Sequence, residues 1–159
     1  MKIAIASVLA LSSAALASSE AGWQRLETLS NPAIQYIAPD GGPGTLLTCA
    51  NGNYGLMITL DGMDATEALL DSSRRRRSLN GELFVDGEAT YKGGFRYKLA
   101  TKAAEAYERK PAAQIFNAVV RGQKVEFKLS GKSIKDLELP GVNEAFREFA
   151  KECKAQASG

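Results

Sequence analysis

Cys49 and Cys153 are the only two cysteines in the chain and stand about a hundred residues apart. A bond between them would tie most of the chain into one loop, so their redox state constrains the fold more than any other feature. Thiols pair in oxidising compartments and stay reduced in the cytosol. The N-terminus bears on which applies. Lys2 supplies a short positive region, residues 3–16 form a run of Ile, Ala, Val and Leu with a few Ser, and Ala15-Leu16-Ala17 has the small-x-small form that signal peptidase accepts. A membrane anchor needs roughly 20 apolar residues, and this run is shorter and rich in Ala and Ser. The expectation is a cleaved signal peptide at 1–17 and a mature domain at 18–159, bacterial in style and bound for the periplasm or the medium. A buried N-terminal helix is the competing reading. In that compartment the pair is expected to form one disulfide, Cys49–Cys153, with two separate buried thiols as the alternative. Closing such a loop is worth about 4.7 kcal/mol on the chain-entropy account, before any native strain is deducted.

Processing after Ala17 leaves 142 of 159 residues, enough for one domain with a real core. It removes a single charge, Lys2, so the formal balance falls from +2 to +1. A chain this close to neutral is not a general binder of nucleic acid or membrane surfaces. No second segment approaches transmembrane length.

The dipeptides Asn51-Gly52, Asn80-Gly81 and Asp86-Gly87 each suit a two-residue hairpin turn, where both central residues need positive φ. Residues 46–50 lead into the first, and Tyr54, Leu56, Ile58 and Leu60 follow at period two, the mark of a half-buried strand. Phe95, Tyr97 and Leu99 alternate with Arg96 and Lys98. Residues 23–29 and 34–38 read as further strands, and residues 39–44 (Pro-Asp-Gly-Gly-Pro-Gly) as a loop. The first half thus reads as an antiparallel meander. Residues 101–120 are Ala-rich, broken by Pro111, and predict helices at 102–109 and 111–120, the second stopped by Gly122. Val125, Phe127 and Leu129 alternate with Lys and Glu as a strand. Pro140 is expected to open a last helix in which Val142, Phe146, Phe149 and Cys153 form one apolar stripe. The fold class is therefore α+β: an antiparallel meander sheet, two or three helices packed on one face, and the C-terminal helix tied to the sheet by the disulfide.

Histidine is absent, which removes Ser-His-Asp and Cys-His sites, His-ligated zinc and the usual general base. No catalytic residue, metal site or cofactor is implied. Asp61, Asp64, Glu67 and Asp71 lack the alternation of an EF-hand and read better as a helix cap with an Asp71–Arg75 pair. Ser130-Gly131-Lys132-Ser133 lacks the upstream glycine of a phosphate loop. Glu82, Asp86 and Glu88 offer a carboxylate pair for a His-free hydrolase, a pattern that hairpins produce commonly. The most unusual feature is Arg74, Arg75, Arg76 and Arg77. It reads either as a solvated edge that discourages sheet-to-sheet pairing or as a binding edge for lipid phosphate, lipopolysaccharide or acidic glycan. No aromatics interleave it, which argues against single-stranded nucleic acid.

The closing pattern Phe127-x-Leu129-x-Gly131, a short link, Ala145-Phe146 and Cys153, with Cys49 on an upstream strand, resembles small periplasmic proteins of Gram-negative bacteria. Among these are the invasion-associated locus B family and type VI secretion-associated accessory proteins. The likeness covers the C-terminal segment and Cys49, while those families' N-terminal cysteine patterns are not matched. It implies fold and compartment and carries over no functional residue. The functional expectation is an exported, non-enzymatic interaction module whose partner is another envelope or secreted protein, or an anionic envelope ligand.

Overall fold

The computed structural model describes residues 20–60, 78–129 and 133–158. The expected signal peptide at 1–17, the acidic residues Asp61, Asp64, Glu67 and Asp71, the run Arg74, Arg75, Arg76 and Arg77, and Ser130-Gly131-Lys132 lie outside the described residues.

Among the described residues nine strands form one antiparallel sheet: β1 Gly22–Arg25, β2 Ala33–Ile37, β3 Pro43–Ala50, β4 Asn53–Thr59, β5 Ser78–Val85, β6 Glu88–Lys98, β7 Ala103–Ala106, β8 Val125–Leu129 and β9 Ser133–Asp136. Two α-helices accompany them among the described residues, α1 Lys110–Arg121 and α2 Glu144–Ala157. The strand order is β1-β2-β3-β4-β7-β6-β5-β8-β9. The expected meander holds through β4 and then fails, because β7 sits between β4 and β6 and the next hairpin runs back along the sheet.

Two of the three turn dipeptides behave as expected. Asn51 and Gly52 join β3 to β4 at φ 52° and 73°, and Asp86 and Gly87 join β5 to β6 at φ 51° and 83°. The third expectation is corrected: Asn80-Gly81 lies inside β5, paired with Gly94 and Gly93. Gly81 is needed for space rather than for a turn. A β-carbon there would stand 2.7 Å from ring carbons of both Phe95 and Phe127. Residues 102–109 are likewise not a helix. After a 3-10 turn at Leu99–Thr101, β7 fills the gap between β4 and β6, and Ala104 pairs with Ile58 on one side and Tyr97 on the other. Ala103 and Ala104 are fully buried there, so sheet pairing overrides their helical preference. The expected loop at 39–44 gives up Pro43 and Gly44 to β3, and the strand at 23–29 ends at Arg25.

α1 starts with Pro in its first turn and stops at Gly122, whose left-handed φ of 66° lets its N–H reach the carbonyls of Ala118 and Val119. α2 does not begin at Pro140. Asn143 caps it: the side-chain oxygen accepts from the Phe146 N–H at 3.0 Å, and the amide nitrogen donates to the Trp23 carbonyl at 2.8 Å. Pro140 instead lies outside the helix, and its carbonyl accepts the Trp23 indole N–H at 3.0 Å. Val142 joins the core from outside the helix, while Phe146, Phe149 and Cys153 form its buried stripe.

Cys49 and Cys153 are bonded, with Cα atoms 5.6 Å apart, and both are buried. The bond fastens α2 to β3 at the end where Gly52 lies against Ala157, so close that a β-carbon on Gly52 would come 2.7 Å from the Ala157 Cα. Aromatic rings fill the space between sheet and helices. Tyr54 stacks on Phe116 of α1 at 4.6 Å and meets Phe149 of α2 at 6.0 Å, and Trp23 meets Phe146 at 5.2 Å. Each fully buried phenylalanine contributes roughly 1.5–3 kcal/mol.

The sheet also coils on itself. β9 is five places from β4 in the strand order, roughly 24 Å in a flat sheet. Yet Lys135 of β9 donates its ammonium to the Thr59 carbonyl of β4 at 3.0 Å. The accumulated twist therefore brings the far edge back across β4, and the space between them stays open as a cleft.

Candidate functional site

The cleft has a volume of about 290 Å³, and its walls come from segments far apart in the chain. β2 contributes Tyr36, β3 contributes Thr45, β4 contributes Ile58 and Thr59, and Lys135 to Glu138 arrive from β9 and the residues after it. The turn from β2 to β3 forms one lip. There Ala38 N–H donates to the Gly42 carbonyl, Gly41 N–H donates to the Ala38 carbonyl, and Asp40 accepts the Gly42 N–H through Oδ1 at 2.8 Å. Gly44 lets the Tyr36 ring lie across β3, since a β-carbon there would fall 2.6 Å from the ring. Leu137 is anchored in the core, and Glu138 follows it at a positive φ of 36° on the opposite lip.

Thr45 and Thr59 are the only buried polar residues among those described, and both face this cleft. Thr59 is fully used: its hydroxyl donates to the Pro43 carbonyl at 2.9 Å and its carbonyl accepts Lys135. Thr45, 3 % exposed, and Tyr36, 8 % exposed, are different. Neither hydroxyl takes part in a hydrogen bond among the described residues. Both oxygens keep contact with solvent. The Tyr36 phenol is held above its ordinary pKa of 10.0, first by burial and then by the negative charges of Glu138 and Asp40. At neutral pH it is a protonated donor whose oxygen can also accept.

The charges around the cleft are unevenly committed. Asp136 pairs with Lys124 at 3.2 Å, and Lys135 is engaged at Thr59. Asp40 and Glu138 are exposed at the rim and belong to no ion pair among the described residues. The cleft thus presents two free carboxylates above two unpartnered hydroxyls. No group of three or more Asp, Glu, Cys or His among the described residues is placed to hold a metal ion.

The structure brings Cys49 and Cys153 together and engages Glu82, Asp86 and Glu88 differently. Glu82 pairs with Lys92 at 2.9 Å, and that hydrogen bond lowers its pKa. Asp86 is consumed by its turn, accepting the Lys124 N–H and the Gln123 side chain at 2.9 Å each. Glu88 stands exposed at the start of β6. These three carboxylates converge on no common point. Sequence reasoning missed Tyr36, Asp40, Thr45 and Glu138. Their only local signal is the turn-rich stretch 39–44, because the site exists only where the coiled sheet brings β9 back to β4.

No protein family, curated protein or solved structure matches the chain. No helix among the described residues is long and apolar enough to cross a membrane.

Proposed function

We propose that the chain is an exported, non-enzymatic interaction module of a bacterial envelope, periplasmic or secreted. The observation that carries this reading is the composition of the cleft. It offers unpartnered hydroxyls and exposed carboxylates, the equipment for holding a ligand. A carboxylate acting as general acid near neutral pH needs a water-poor setting, and Asp40 and Glu138 stand in solvent at the rim. The signal-like N-terminus and the Cys49–Cys153 bond support the compartment. On the same reading α1 and α2 cover one face of the sheet, for which the shared contact of Tyr54 with Phe116 and Phe149 speaks.

Expression of the full chain in a Gram-negative host tests the proposal. Recovery outside the cytosol of a product beginning at Ser18, lacking free thiols and inert toward ester, glycoside and phosphoester substrates is the expected result. Retention of the 159-residue chain in the cytosol with both thiols reduced would refute export. Turnover that disappears in Asp40→Asn or Glu138→Gln would replace the module with a His-free hydrolase.

The run Arg74, Arg75, Arg76 and Arg77 favours a second reading, a binding edge for acidic envelope ligands. Changing all four to Ser is then expected to abolish binding to vesicles containing anionic lipid. Salt-insensitive binding that survives the change would remove this reading.

A further inference from the structure

We propose that the cleft between β4 and β9 binds an organic cation, a guanidinium or alkylammonium group, held by the hydroxyls of Tyr36 and Thr45 and the carboxylates of Asp40 and Glu138. This deepens the interaction-module reading and rests on it only in taking the site to hold its ligand unchanged.

Size limits the ligand first. At about 290 Å³ the cleft lies at the small end of ligand pockets, suited to a group the size of one side chain. Chemistry limits it next. The two residues are more than nine-tenths buried, yet their hydroxyls have no partner among the described residues and stay open to solvent, so each has hydrogen-bonding capacity that a bound group can take over from water. Tyr36 and Thr45 each donate one O–H and can also accept through oxygen, and the carboxylates accept only, so acceptors outnumber donors. The complementary group is therefore rich in donors and poor in acceptors. Guanidinium, with five N–H donors, and ammonium, with three, carry no acceptor.

Charge makes the same selection. Of the charged groups lining the cleft, Asp136 pairs with Lys124, while Lys135 keeps its positive charge on the neutral Thr59 carbonyl. One ammonium therefore stands against the unpaired carboxylates of Asp40 and Glu138, whose field reaches the Tyr36 phenol, and the lining stays net negative. An anion would meet two unneutralised carboxylates there. A neutral sugar could use the hydroxyls yet would bury carboxylates with no opposite charge. A bare metal ion would need more converging oxygen or nitrogen ligands than the described residues supply.

The cation can come from a free small molecule or from an Arg or Lys side chain of a partner, and the test separates them. The oxidised full-length product is titrated calorimetrically with putrescine, with N-acetylarginine amide, with a short peptide carrying one central arginine, and with N-acetylglutamate. Saturable binding of the cationic probes, with none of N-acetylglutamate, is expected. Tyr36→Phe and Glu138→Gln, each keeping shape and removing one contact, should each weaken binding about tenfold. Tighter binding of the peptide than of the free probes would assign the partner side chain, and equal binding the small molecule; both support the site. The anionic probe binding as well as the cationic ones would overturn it. So would no cation binding at millimolar concentration, or affinity unchanged in both variants at an unchanged melting temperature. Such failures leave the interaction module standing on other surfaces, whereas a bound probe that is chemically converted would remove the module and keep the site.

Discussion

A β-carbon at Gly81 would intrude on Phe95 and Phe127, whose rings meet edge-on at 5.0 Å in the fully buried core. Gly81→Ala is therefore expected to destabilise by about 1–3 kcal/mol, the usual range for overpacking. A chain of this size loses about 2–4 °C of melting temperature per kcal/mol, so a thermal melt resolves the change. An unchanged melt would show that the rings have room to move. Tyrosines carry the residue-scale pH dependence. Tyr36, Tyr54 and Tyr91 all sit above the ordinary value of 10.0, chiefly because burial disfavours the phenolate. Their folded pKa values exceed the unfolded ones, so the native state binds protons more tightly above pH 10. Their contribution is complete below that pH and is lost as pH rises through the folded values. Phenolate absorbance should show Tyr36, Tyr54 and Tyr91 titrating above pH 10, with stability falling over the same range. Ordinary titration of these three would contradict the burial of their rings.

At the scale of elements, the C-terminal helix is the one most dependent on a single covalent link. The bond to Cys49 holds α2 over β3, the Asn143 cap ties its start to β1, and Arg25 pairs with Glu152 along its exposed side. Cys153→Ser is expected to lower the melting temperature by several degrees and to speed amide exchange across Glu144–Ala157. The loop-entropy term of about 4.7 kcal/mol is the upper bound. Equal melting temperatures with and without reductant would contradict this. The disulfide was legible because the chain holds only two cysteines and each falls on an apolar position of a local pattern, the Phe146, Phe149, Cys153 stripe of α2 and the alternation of β3. α1 was legible for the same reason, with Pro111 and Gly122 marking its ends. β7 was not, since its alanines favour helix until β4 and β6 stand on either side. Asn80-Gly81 misled in the opposite direction: a turn signal was present, but glycine was selected by two distant rings.

Across the whole molecule, the order of strands is the least local property and the least readable. Nothing near residue 103 shows that β7 will separate β4 from β6, and nothing near residue 135 shows that twist will carry β9 back to Thr59. The candidate site inherits that difficulty. Its two hydroxyls come from adjacent strands, its two carboxylates from the opposite lips of a coiled sheet, and each residue taken alone is unremarkable for its element. What the whole fold adds is an uneven distribution of charge. The described surface pairs Glu82 with Lys92, Glu105 with Lys98, and both Glu126 and Asp136 with Lys124. Asp40 and Glu138, at the mouth of the cleft, belong to no ion pair among the described residues. Binding at this mouth is the central claim, and an amide NMR titration of the oxidised protein with N-acetylarginine amide tests it most directly. The expected shifts cluster at Tyr36, Asp40, Thr45 and residues 135–138 and spare α1 and the β5–β6 hairpin. Shifts confined to other surfaces, or none at saturating probe, would contradict it.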